Sequence, residues 1–71
     1  MKEVKANMAG NVWKITVSEG DKVDKDQDVV ILESMKMEIP IASEYEGSVK
    51  ELKVAEGDFV NEGDPLLVID E

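Results

Sequence analysis

Apolar side chains recur along this chain in short runs, among them Val29 to Leu32, Ile39 to Ile41 and Leu66 to Ile69, and polar residues separate the runs. Gly, Asp and Pro bound them at intervals of roughly eight to twelve residues, which is the pattern of all-β sandwiches and barrels. No window supports a convincing helix. Leu32 and Ser34 lead into a hairpin and Met37, Ile39 and Ile41 lead out of it. The tightest connection leaves only Met35 and Lys36 at its two central positions.

The chain also repeats itself. Displaced by 37 residues, Gly10 to Glu33 matches Gly47 to Asp70, with V-x-E-G-D-x-V at Val17 to Val23 and again at Val54 to Val60. Two copies of one supersecondary unit imply that each covers the apolar face of the other. Gly20 and Gly57 are expected to take positive φ in matching turns, and Pro40 and Pro65 to lie at strand ends or edges. The expected organisation is a single domain, 1–71, with halves 10–33 and 47–70 and the hairpin 34–37 between them. A two-fold arrangement sets this hairpin at one end and the chain termini toward the other.

The hairpin tip has the wrong residues for its geometry. Two-residue hairpin turns favour Asn, Asp and Gly because one or both central residues need positive φ, and Met and Lys adopt it at a cost. An exposed turn lysine is usually a solvated charge, and methionines near strand ends usually fill a core. Here the lysine is central to a repeat and has a large thioether on each side, and misfit local chemistry points to function.

Composition restricts what that function can be. The 71 residues include no cysteine and no histidine, which removes Cys/His zinc sites and every relay through an imidazole. Seventeen acidic against 8 basic residues give a net charge of −9, a surface that repels nucleic acid and anionic membrane. No apolar run reaches membrane-spanning length, and "MKEVKANMAG" lacks the apolar stretch of a secretory signal. A soluble, cytoplasmic, monomeric protein is expected. Lys36 is a poor nucleophile by itself, because its charged neighbours Glu33 and Glu38 are acidic and no neighbouring cation activates it. Another protein must take its proton, so the lysine is acted upon.

"ESMKMEIPI", with a β repeat on either side, closely resembles the attachment site of biotinyl domains, usually E-A-M-K-M before a short apolar strand. The resemblance covers nearly the whole chain. It implies a flattened β-barrel, a barrel-sandwich hybrid of two four-stranded antiparallel sheets with quasi-two-fold symmetry. It also implies biotin joined by an amide bond to Lys36 by a biotin protein ligase, with Met35 and Met37, and beside them Glu33 and Ser34, read by that ligase. The tethered biotin then carries carboxyl between a biotin carboxylase and a carboxyltransferase, and the domain catalyses neither half-reaction. Several residues depart from the family pattern. Ser34 replaces an alanine, Ala6-Asn7-Met8-Ala9-Gly10 lacks the two prolines of A-P-M-P-G, and Lys25-Asp26-Gln27-Asp28 lacks a glycine that Gly63 keeps in the second copy. No insertion is long enough for the protruding thumb of some carboxyl carrier proteins.

Three rivals are testable. A lipoyl domain, loaded with lipoate by a lipoyl ligase at the same lysine, usually presents an acidic-lysine pair, whereas here Met35 holds the acidic place. Calcium binding has Asp24, Asp26 and Asp28 at EF-hand spacing but fails at Val29, where glycine belongs, and at Met35, where a glutamate closes the site. An unmodified interaction barrel would use Met35 and Met37 as a contact patch. Trp13 is expected to pack in a strand or cover an edge rather than to form a ligand platform.

Overall fold

The computed structural model describes residues 1–71 and contains eight strands and no helix. They are β1 (Lys2–Lys5), β2 (Gly10–Ile15), β3 (Lys22–Val23), β4 (Asp28–Ser34), β5 (Met37–Ala42), β6 (Gly47–Leu52), β7 (Phe59–Val60) and β8 (Pro65–Asp70). One sheet, here sheet A, has the order β1-β8-β6-β3, and the other, sheet B, has β5-β4-β2-β7; every pairing is antiparallel. The expected all-β class and two four-stranded sheets are what the chain forms.

Alternation of apolar residues explains the packing. Val12, Leu32 and Ile41 from sheet B and Val4, Val49, Leu67 and Ile69 from sheet A point inward and are almost wholly buried. They belong to one core of 14 residues, all Val, Leu, Ile or Ala. At roughly 1.5–3 kcal/mol for each fully buried aliphatic side chain, this core is the main term opposing chain entropy.

The 37-residue offset governs the register. In sheet B, Val12 lies opposite Leu32 and Ile15 opposite Val30; in sheet A, Val49 lies opposite Ile69 and Leu52 opposite Leu67. A bulge falls at Val12/Lys14 in one and Val49/Glu51 in the other. The same displacement carries the β4–β5 pair onto β8–β1: Leu32 opposite Ile39 becomes Ile69 opposite Lys2. The two-fold therefore carries the Met35-Lys36 turn onto the space between the chain's ends.

The E-G-D motif joins the two copies. Gly20 (φ 92°) and Gly57 (φ 97°) occupy the left-handed conformation that favours glycine, as expected from sequence. Their N–H groups donate to the carbonyls of Val49 and Val12 in the opposite copy. Glu19 accepts from the Leu52 N–H and Glu56 from the Ile15 N–H, each at 3.1 Å. Asp21 and Asp58 close their own turns by accepting from Ser18 and Ala55 N–H at 2.9 Å. Their carbonyls also accept from the Val49 and Val12 N–H groups of the opposite copy, at 2.8 and 2.7 Å, so all three residues of each motif reach across and the aspartate holds its own loop as well.

Where the first copy lacks glycine, Asp26 takes φ 70° and Gly63, its counterpart, takes 89°. Asp26 N–H donates to the Ser43 carbonyl just as Gly63 N–H donates to that of Ala6. Aspartate is among the few side chains that enter this region at low cost. Both prolines sit where a missing N–H is tolerated, Pro40 in edge strand β5 and Pro65 at the first position of β8.

Candidate functional site

Ser34 opposite Met37 is the last pair of the β4–β5 ladder, so Met35 and Lys36 alone make the connection. Their φ angles are 51° and 64°. Two successive positive values make a type I′ turn, whose twist matches that of the flanking strands. Neither side chain is suited to it, and the conformation costs roughly 1–2 kcal/mol at each residue. The misfit anticipated from sequence is thus present in the backbone.

Exposure decides what the methionines do. Met35 is 92% exposed and Met37 62%, so neither fills the core, and the tip presents two thioethers and an amine to solvent. Lys36 takes part in no ion pair; the one in the molecule joins Lys53 to Glu51 at 3.2 Å. Its long stem is free to turn. The base of the hairpin is firmer. Gly10 of β2 lies against it so closely that a Cβ there would come within 3.0 Å of the Glu33 carbonyl oxygen and 3.5 Å of Ser34 Cβ.

Glu33 and Glu38 face one another directly across β4 and β5. Like charges in that register disfavour the pairing. Ser34 is half-buried at the hairpin base, while Glu33 and Glu38 are exposed. The five sequence candidates, Glu33, Ser34, Met35, Lys36 and Met37, therefore form one contiguous tip, to which register adds Glu38.

The tip protrudes and encloses nothing. The largest groove on the surface, about 580 Å³, runs between edge strands β1 and β5 and is lined by neither Met35, Lys36 nor Met37. No group of three or more His, Cys, Asp or Glu side chains gathers to hold a metal ion, and Asp24, Asp26 and Asp28 do not converge. Trp13 departs from expectation: it neither joins the core nor covers an edge. It stands 45% exposed at the bulge of β2, an interior strand, with Lys14 Nζ 5.6 Å from the ring centroid. Alternation after buried Val12 turns Trp13 outward, and the bulge sets Lys14 outward beside it.

Known proteins resemble this chain in sequence and in fold. A biotin/lipoyl family model, described as "Biotin-requiring enzyme", matches residues 2–69. The "Biotin/lipoyl attachment protein" of Bacillus subtilis is 62% identical over 64 residues, covering 90% of this chain and 88% of that protein. The "Biotin carboxyl carrier protein" of Streptococcus mutans is 42% identical over 64 residues, 90% of this chain and 49% of that protein. Among solved structures, urea carboxylase of Kluyveromyces lactis superposes with a TM-score of 0.90 at 30% identity, over 97% of this chain and 6% of that one. The chain thus spans about half of the carrier protein and a small part of the carboxylase. It belongs to the biotin/lipoyl attachment family.

Proposed function

We propose that this chain is a biotin carrier and that Lys36 is the residue modified. The observation that carries the proposal is the strained two-residue turn, which lifts one unpaired amine clear of a rigid barrel between two exposed thioethers. Lys36 Nζ attacks the acyl carbon of biotinyl-adenylate on a biotin protein ligase. An amide forms, AMP leaves, and the amine proton passes to a base on the ligase. Met35 and Met37 give that ligase an adaptable apolar grip, and Glu33 and Ser34 fix the base of the grip. Bound biotin supplies the atom that accepts and releases carboxyl. The chain's own part is to hold the arm at high effective concentration before a biotin carboxylase and then a carboxyltransferase.

Resemblance to a carboxyl carrier protein and to a carboxylase supports biotin and the carboxyl-transfer role. The lack of cysteine suits a reducing compartment, and the cytoplasm is the one proposed. A second reading, lipoate on the same amine, is favoured by the name of the 62% identical relative, a biotin/lipoyl attachment protein. Purified chain is incubated with biotin protein ligase, ATP and biotin, and in parallel with lipoyl ligase, ATP and lipoate, and intact mass is read. One biotinyl increment on the wild type and none on Lys36→Arg is expected. A lipoyl increment alone transfers the proposal to lipoate, and a bare chain beside a modified control acceptor refutes both.

A further inference from the structure

The internal two-fold supplies a control for the surface positions of the paired strands, since a residue there has a counterpart in the same backbone setting 37 places away, whereas the Met35-Lys36 turn has none. On the outer face of sheet B, one row across the strands reads Glu38, Glu33, Asn11, Phe59. The next reads Pro40, Ile31 and then the bulge pair Trp13 and Lys14. The equivalent rows of sheet A read Asp70, Ser48, Lys22 and Glu3, Val68, then Lys50 and Glu51. Lysine thus stands where sheet B has Trp13 and Phe59, and glutamate where it has Pro40.

Backbone geometry does not explain this difference, because the register is shared. Nor does packing: Trp13 is 45% and Phe59 63% exposed, outside the core. At positions with a counterpart, sheet B exposes Trp13 and Phe59 against lysines in sheet A, Met1 beside sheet A is exposed against Glu38, and the hairpin adds Met35 and Met37 beside sheet B. Such asymmetry between equivalent faces marks an interaction surface.

We infer that the outer face of sheet B, centred on Trp13 and Phe59 and ending at Glu33 and Glu38, is the surface on which the enzyme that acylates Lys36 docks. This rests on the reading of Lys36 as the modified residue and names how its partner binds. Area argues for it: a stable interface covers on the order of 800 Å² on each partner, far more than a two-residue turn offers, and the apolar face adjoins the turn through β4 and β5. Charge argues for the same occupant. A second copy would set the Glu33–Glu38 pair of a −9 protein against another negative surface. A catalyst with an apolar patch bordered by Arg or Lys fits both parts of the face, and a cation between the two carboxylates removes their repulsion.

On sheet B the test uses substitutions that the fold already accommodates at equivalent positions. Trp13→Lys with Phe59→Lys gives sheet B the residues of sheet A, and Lys22→Ser with Lys50→Ser serves as the opposite-face control. Modification by biotin protein ligase is followed by intact mass across acceptor concentrations, with unfolding curves confirming each fold. The sheet B variant is expected to lose roughly tenfold or more in kcat/KM, chiefly through KM, while the control stays within about twofold of wild type. Unchanged kcat/KM in the sheet B variant, with wild type modified in the same series, overturns the docking face and leaves the attachment role standing. Failure of wild type to be modified refutes the attachment role instead. Equal loss in both variants overturns the face, as does a concentration-dependent dimer that Trp13→Lys dissolves without altering the kinetics.

Discussion

The β4–β5 and β8–β1 pairs are the same piece of structure used twice, with matched registers and with Leu32 and Ile69 both fully buried. They differ at the tip. One is closed by Met35 and Lys36; at the other, no loop joins β8 to β1. The barrel therefore forms one of its two equivalent corners with no connection at all. The identity of the connecting residues at the other corner is not dictated by the fold, and Asn-Gly would relieve its strain. Met-Lys stands there at a cost in stability, which agrees with the proposal that a partner reads the pair.

This comparison is sharpened first at the glycines beneath the two corners. A Cβ on Gly47 would stand 2.5 Å from the Asp70 carbonyl oxygen and 2.7 Å from Ile69 Cγ2, so Gly47→Ala is expected to cost about 3 kcal/mol or more in denaturant unfolding. At the equivalent Gly10 the closest approach is 3.0 Å, to the Glu33 carbonyl oxygen, and Gly10→Ala is expected to cost about 1–2 kcal/mol. If the two costs came out reversed, the close approach would not be what fixes these glycines.

The next effect has opposite signs in two measurements. Met35→Gly relieves a positive φ and is expected to stabilise the chain by about 1 kcal/mol while slowing ligase modification of Lys36 by roughly tenfold. A variant both more stable and fully modified would show that the thioether is not read. The smallest effect lies far from the tip. Asp26→Gly restores the residue found at Gly63 and is expected to add a few tenths of a kcal/mol, with no change in modification rate.

What was legible in the sequence follows from what is local. Short apolar runs between Gly, Asp and Pro gave the all-β class, and the spacing from Leu32 to Met37 located the strained turn before any coordinates. Gly20 and Gly57 were readable because a positive φ leaves its mark on the residue that adopts it. The tasks of Glu19 and Glu56 were not, since their acceptors bind N–H groups 33 and 41 residues away. The exposure of Trp13 was not legible, because its apolar bulk suggested packing while its place next to buried Val12 turns it outward. The opposition of Glu33 and Glu38, adjacent to Lys36 in the text, became a repulsive pair only through the tightness of the turn.

The margins of the two sheets carry a further consequence. Strands β3 and β7 are two residues long, β5 lacks one N–H at Pro40, and β1 has Lys2, Glu3 and Lys5 among its four residues. Each border is thereby blunted against templating by a neighbour's backbone. A carrier of the proposed kind, calling at successive catalysts, needs brief visits, and backbone ladders zipped along an open border would hold it too long. Its meetings are left to side chains, which let go quickly.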